Sequence, residues 1–203
     1  MKKIRNLVLE KIDNESASIL AENLAEYINS ASSEVKDEQM EGFVDITNLF
    51  LFEHGILENT GLKDYVLIDF LKNNSFLVSD IKLPTTIFES SILELGIADD
   101  LSLTNLEANQ YFDIYKEFVA INAISRSNPE LCRLVVEKIG PSLLDRKFLR
   151  ILSYYSALYC LHLRIDIENE KNDFTKEILN EKLNHMFNIY EDFTSISPSW
   201  LNK

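Results

Sequence analysis

Four side chains able to hold or move a proton recur at spacings of four, three and four in SYYSALYCLHLRID (153–166): Tyr155, Tyr159, His162 and Asp166. In an α-helix those spacings place all four on one stripe, where two phenols, an imidazole and a carboxylate could exchange a proton with a substrate. An enzyme working around this stripe is one reading. The other is structural. Leu152, Leu158, Leu161 and Ile165 occupy the neighbouring face, and a helix apolar almost all round is usually a buried central one. Cys160 and His162 look like a dyad in the linear sequence, but residues two apart in a helix point about 200° apart around its axis. Cys-x-x-Cys, His-Glu-x-x-His and Glu-x-x-His patterns are all missing, so no metal is expected. Asp99-Asp100 lacks the alternating oxygens and central glycine of a calcium loop. No glycine cluster suggests a phosphate loop, and no cofactor is expected.

A second pattern is electrostatic. In SSEVKDEQMEGFVDITNLFLF (32–52), Glu34, Glu38, Glu41 and Asp45 would share one helical face, with Asp37 beside them and Lys36 as the local base. Glu15, Glu22 and Glu26 would share a face of the preceding helix. Residues 13–60 hold eleven acids and one base, whereas residues 111–160 hold five acids and seven bases. Like charges at i,i+4 cost an exposed helix a few tenths of a kcal/mol each, about 0.2–0.5. Part of that is offset near the positive end of the helix dipole, where Glu34, Asp37 and Glu38 would sit; Glu41 and Asp45 gain little. Two explanations fit: a solvated face that keeps the chain soluble, or a face that steers and selects a basic partner.

The elements that must position these residues are helical. Five Gly and four Pro in 203 residues are too few for the many turns of an all-β protein. ESASILAENLAEYINSA reads as a helix with Ile19, Leu20, Leu24, Tyr27 and Ile28 inward. The acidic stretch follows as a helix capped by Ser33, with Met40, Phe43, Val44, Thr47, Phe50 and Leu51 inward and a stop at His54-Gly55. TGLKDYVLIDFLKNN forms another, and PTTIFESSILELG a further one from Pro84 to Gly96. Thr104 and Glu107 suit a capping box for a helix reaching about Ser125. Asn128-Pro129 opens the next, which Gly140-Pro141 ends. A long helix over 142–166 and one over 174–192 capped by Asp173 follow. Residues 4–12 favour helix over strand, and the tail is irregular with Trp200 docked back. The expected fold is all-α: a compact array of about seven to nine helices, mostly antiparallel neighbours joined by short loops, with little or no β. The expected organisation is one domain over 1–203, with a hinge near 73–83 as the place where it would divide.

Net charge −13 and a pI near 4.7 argue against free nucleic acid or an anionic membrane as partner, since both need clustered Lys and Arg. The N-terminal apolar run is too short for a signal peptide, and no stretch reaches the ~18 apolar residues of a membrane span. Cys132 and Cys160 read as reduced thiols of a cytoplasmic protein. The function expected from this pattern is a non-enzymatic acidic binding protein. Its most concrete form is an immunity or antitoxin-type inhibitor that occludes a basic, nuclease-like toxin through Glu22, Glu26, Glu34, Asp37, Glu38, Glu41 and Asp45. A regulatory or scaffold module that binds another protein, and an enzyme built on Tyr155, Tyr159, His162 and Asp166, are the alternatives.

Overall fold

The computed structural model describes residues 2–7, 10–31, 43–45, 65–77, 82–84, 92–104, 106, 114–140 and 145–202. Among these residues the chain is mainly α-helical, with β-structure limited to strands of two or three residues. It divides into two compact units. One comprises Met1–Glu41 with Phe88–Asp145, the other Gly42–Ile87 with Arg146–Lys203.

In the first unit, α1 (Ile4–Leu7) follows strand β1 (Lys2–Lys3), and α2 (Asn14–Ala31) is the longest element. Asp13 starts α2: its carboxylate accepts from Ser16 N at 2.8 Å and from Ser16 Oγ at 3.1 Å, satisfying an otherwise unpaired donor of the first turn. Helix α2 buries Leu20, Ala21, Leu24, Ala25 and Ile28 and packs against α5 (Leu131–Ile139), which buries Leu131, Cys132, Val135 and Val136. Each fully buried Leu or Ile on such a seam is worth about 1.5–3 kcal/mol. Gly140 ends α5 at φ 112°, a backbone conformation that glycine adopts without steric cost.

The remaining elements of this unit correct several expectations. Leu103–Thr104 is strand β5, paired antiparallel with β4 (Gly96–Ile97), which pairs in turn with β1, and residues 107–113, where the expected helix would begin, lie outside the described residues. The Asp99-Asp100 segment is the turn of the β4–β5 hairpin, closed by Ala98 N to Ser102 O at 3.0 Å and by Asp100 Oδ1 accepting from Ser102. Pro84 ends the strand Lys82–Pro84, Ile92–Glu94 is a single 3-10 turn and Gly96 lies in β4, so the ends of the expected helix over 84–96 are not helical; residues 85–91 lie outside the described residues. The buried carboxylate of Glu117, on α4 (Ile114–Ile124), accepts from Ile92 N at 3.0 Å and fixes that turn. Asn128-Pro129 does not open α5, which begins at Leu131; the Asn128 carboxamide instead ties down the N-terminal segment, accepting from Ile12 N at 3.0 Å and donating to Glu10 O at 2.6 Å.

In the second unit, α3 (Tyr65–Asn74), α6 (Arg146–Asn169) and α7 (Asp173–Ile189) form the core, with α6 packed against both others. Residues 151–158 of α6 are buried on every side, so this helix is the central one. Asn172, not Asp173, caps α7, its side chain accepting from Thr175 N at 3.0 Å. Beyond α7, Glu191, Asp192 and Phe193 all take left-handed backbone conformations with φ between 51° and 58°. Phe193 is held there by burial, stacked on Tyr190 at 5.2 Å and edge-on to Phe187 and Phe70 at 5.3 Å. Trp200 is buried in the C-terminal 3-10 turn Ser199–Asn202.

The largest correction falls on the acidic stretch. Phe43–Asp45 is not helix but strand β2, antiparallel to β3 (Lys82–Pro84), with Asp45 opposite Lys82 in the register. The segment Phe43-Val44-Asp45 alternates apolar and polar at its end, and two of its three residues favour strands, a local preference that the helical spacing of the carboxylates hid.

Candidate functional site

The proton-active stripe lies on α6, as its spacing requires, but its four members meet different environments. Tyr155 is buried, with 2% of its surface exposed. Burial pushes the Tyr159 hydroxyl far above the ordinary phenol range, and the nearby Cys160 and Asp166 act in the same direction. Tyr159 therefore keeps its proton at neutral pH and cannot serve as a phenolate base. His162 and Asp166 lie at the more open end, with side chains 33% and 44% exposed and 3.6 Å between Nε2 and Oδ2. That is an ion-pair separation rather than a hydrogen bond. The stripe thus divides into one core tyrosine, one half-buried tyrosine and a more open His–Asp pair. Cys160 is buried on another side of the helix. Among the described residues, no group of three or more His, Cys, Asp or Glu side chains could hold a metal ion.

The acidic face is built on α2. Its buried stripe turns Glu15, Ile19, Glu22 and Glu26 outward at spacings of four, three and four. Ile19, expected in the core with Leu20 and Leu24, is 40% exposed. It sits one residue before the seam, at the centre of the row of carboxylates. Glu15, Glu22 and Glu26 are all exposed. Glu22 reaches Lys138 on α5 at 3.7 Å, a solvent-exposed pair that adds little stability. The face is therefore a β-branched apolar side chain flanked along the helix by three carboxylates, with one lysine at its margin.

Of the other expected binding residues, Asp45 stands on strand β2, so a single helical stripe does not run from Glu34 to Asp45. Glu34, Asp37, Glu38 and Glu41 lie outside the described residues. What the sequence did not single out was Ile19 as a surface residue. The signal was present: Ile19 falls on the Glu15–Glu22–Glu26 row as well as beside the apolar stripe, and the row places it outward.

No helix among the described residues is long and apolar enough to cross a membrane. The chain matches no protein-family model, no curated protein and no solved structure.

Proposed function

We propose that the protein is a non-enzymatic binding protein that engages a basic partner through the outward face of α2, most concretely as an immunity or antitoxin-type inhibitor of a nuclease-like toxin. The observation that supports this is Ile19, exposed within the row of Glu15, Glu22 and Glu26. The isoleucine adds an apolar group at the centre of the carboxylates. An apolar anchor flanked by charges is the arrangement of a contact surface, in which the apolar group supplies binding energy once water is excluded and the charges guide encounter and choose the sign of the partner. A nuclease must present cations to bind phosphates, so its substrate surface is complementary to such a face, and an acidic protein seated there blocks it.

The experiment is affinity capture from the native host with identification of the bound protein, run in parallel with wild type and with an Ile19→Ala, Glu22→Lys, Glu26→Lys variant. The reading requires a captured protein with a basic surface that the variant fails to retain, and inhibition of that protein's activity by wild type alone. A partner captured equally by both would move the interface elsewhere. One observation favours the scaffold reading as the alternative: Phe174 and Ile178, one turn apart on α7, are 71% and 37% exposed, an apolar pair that could seat against another protein. Capture that survives the α2 variant but is lost on Phe174→Ala would support it.

A further inference from the structure

On the outward face of α7, Phe174 and Ile178 stand one turn apart and keep much of their surface in water. Each forgoes the stabilisation that burial of its side chain would bring. Lys171 precedes Phe174 by three residues, just before the Asn172 cap, and Glu181 follows Ile178 by three; both are exposed. From its N-terminal end the face therefore presents a cation, an aromatic ring, an isoleucine and a carboxylate.

This order is complementary to itself when turned end for end. In a pair of copies related by a two-fold axis, residue i meets residue j and j meets i. Phe174 with Ile178 and Lys171 with Glu181 are both centred on position 176. In one antiparallel register the ring of each copy thus covers the isoleucine of the other, while the lysine of each faces the carboxylate of the other. Lys176 lies about 200° around the helix from both apolar residues, so it points away from this contact and does not meet its own copy. A partner of different sequence gives no reason for opposite charges at equal distances from the centre of the apolar pair.

We propose that the outward face of α7 is the contact of a two-fold dimer with a second copy of this chain. One helix laid on one helix buries less than the about 1,200 Å² at which stable interfaces begin, so the dimer is weak and forms at high concentration. The net charge of −13 opposes it at low ionic strength. Physiological salt screens that repulsion beyond about 8 Å and leaves the pairs in contact less affected. The face shares no residue with the outward row of α2, so this inference does not rest on the reading given to that row.

Sedimentation velocity of the full chain at physiological salt, from about 10 μM to about 1 mM, tests it. The wild type should shift reversibly from monomer to dimer across this range, and Phe174→Ala should stay monomeric throughout. Lys171→Glu and Glu181→Lys should each weaken dimerisation by about tenfold, because the axis repeats every pair and each attraction becomes a repulsion. The combined variant Lys171→Glu, Glu181→Lys should return to within about threefold of wild type, since the swapped charges again oppose each other across the axis. Ten residues of helix separate the two charges by about 15 Å within one copy, so this rescue reads a contact between copies. All three side chains are exposed, and circular dichroism checks that each variant keeps the wild-type fold. A wild type that is monomeric at the highest concentration, as it would be if an unlike protein covers the face, would overturn the proposal. Dimerisation unchanged in Phe174→Ala, or a combined variant no better than the single reversals, would overturn it as well.

Discussion

Glycine in place of glutamate should have opposite effects at two positions only fourteen residues apart. Glu191, Asp192 and Phe193 form a run of left-handed backbone at φ 51°, 55° and 58°, and each non-glycine residue held there costs roughly 1–2 kcal/mol. Glu191 is the residue that reverses the chain after α7: Asp192 N donates to Phe187 O at 2.9 Å across it, and its own carbonyl accepts from Thr194 N at 3.1 Å. Both contacts are main-chain on the Glu191 side, so glycine keeps them while removing the Cβ clash. Against the ~1–2 kcal/mol relieved stands the greater freedom of glycine in the unfolded chain, about 0.4–1 kcal/mol. Glu191→Gly should therefore stabilise by about 0.5–1 kcal/mol. Glu177, exposed within α7, has ordinary helical backbone, and Glu177→Gly should destabilise by about 0.5–1 kcal/mol from lost helix propensity. Urea unfolding followed by circular dichroism measures both, and the slopes should stay equal so that the midpoints report stability. If Glu191→Gly destabilises as Glu177→Gly does, the left-handed run is not the cost that its dihedral angles imply.

Three further outcomes follow from the cores and caps. Leu152→Ala, Leu158→Ala and Leu161→Ala should each destabilise by about 2–5 kcal/mol, since all three are fully buried on the central helix of their unit; wild-type unfolding midpoints would make α6 peripheral. Neither thiol is in a disulfide and both are buried, and burial pushes the Cys132 thiol up to about 12 against a smaller opposing hydrogen bond from Ser125, so neither should react with iodoacetamide at pH 8 until the chain is unfolded, and reductant should leave the mass unchanged. The Asp13 carboxyl is held below its ordinary value near 3.8, chiefly by the Ser16 backbone N–H and then by the Ser16 hydroxyl. Because the folded value is the lower one, its stabilisation is complete above the unfolded value and fades as pH falls through the folded value. Asp13→Ala should lower the thermal midpoint at pH 7, Asp13→Ser should restore part of it, and the gap between wild type and Asp13→Ala should close on acidification below the ordinary carboxylate range.

How much of this was legible in the sequence depended on how much of each signal was local. The 3.6-residue stripes of α2, α3, α6 and α7 identified those helices and most of their buried faces, because burial of one face fixes the spacing of apolar residues directly. The central position of α6 followed from its having apolar residues all round. The misread segments were those whose partners are distant in sequence. Thr104 has the residue type of a helix cap, and its pairing with Gly96 across a hairpin is a contact that residue type does not announce. Asn128 before Pro129 has the form of a helix start, but its carboxamide is committed to Glu10 and Ile12 more than a hundred residues away. The carboxylate spacing from Glu34 to Asp45 suggested one helix, but Asp45 stands on a strand paired with Lys82–Pro84; a four-three-four spacing of charges, unlike one of buried apolar groups, is under little constraint to mean a helix. The candidate site was half legible: Glu15, Glu22 and Glu26 were read as a shared face, but Ile19 was assigned to the core because its residue type outweighed its angular position.

The most direct measurement is the association rate of the captured partner with wild type and with Glu22→Lys, Glu26→Lys, across a salt series from low to high ionic strength. The acidic-face reading predicts fast association of wild type that falls as salt rises, because screening shortens the field to about 8 Å at physiological ionic strength. It predicts slow association of the double reversal, with the two proteins converging at high salt. Equal rates for the two at low salt would contradict it and leave the outward face of α2 as a solvated surface.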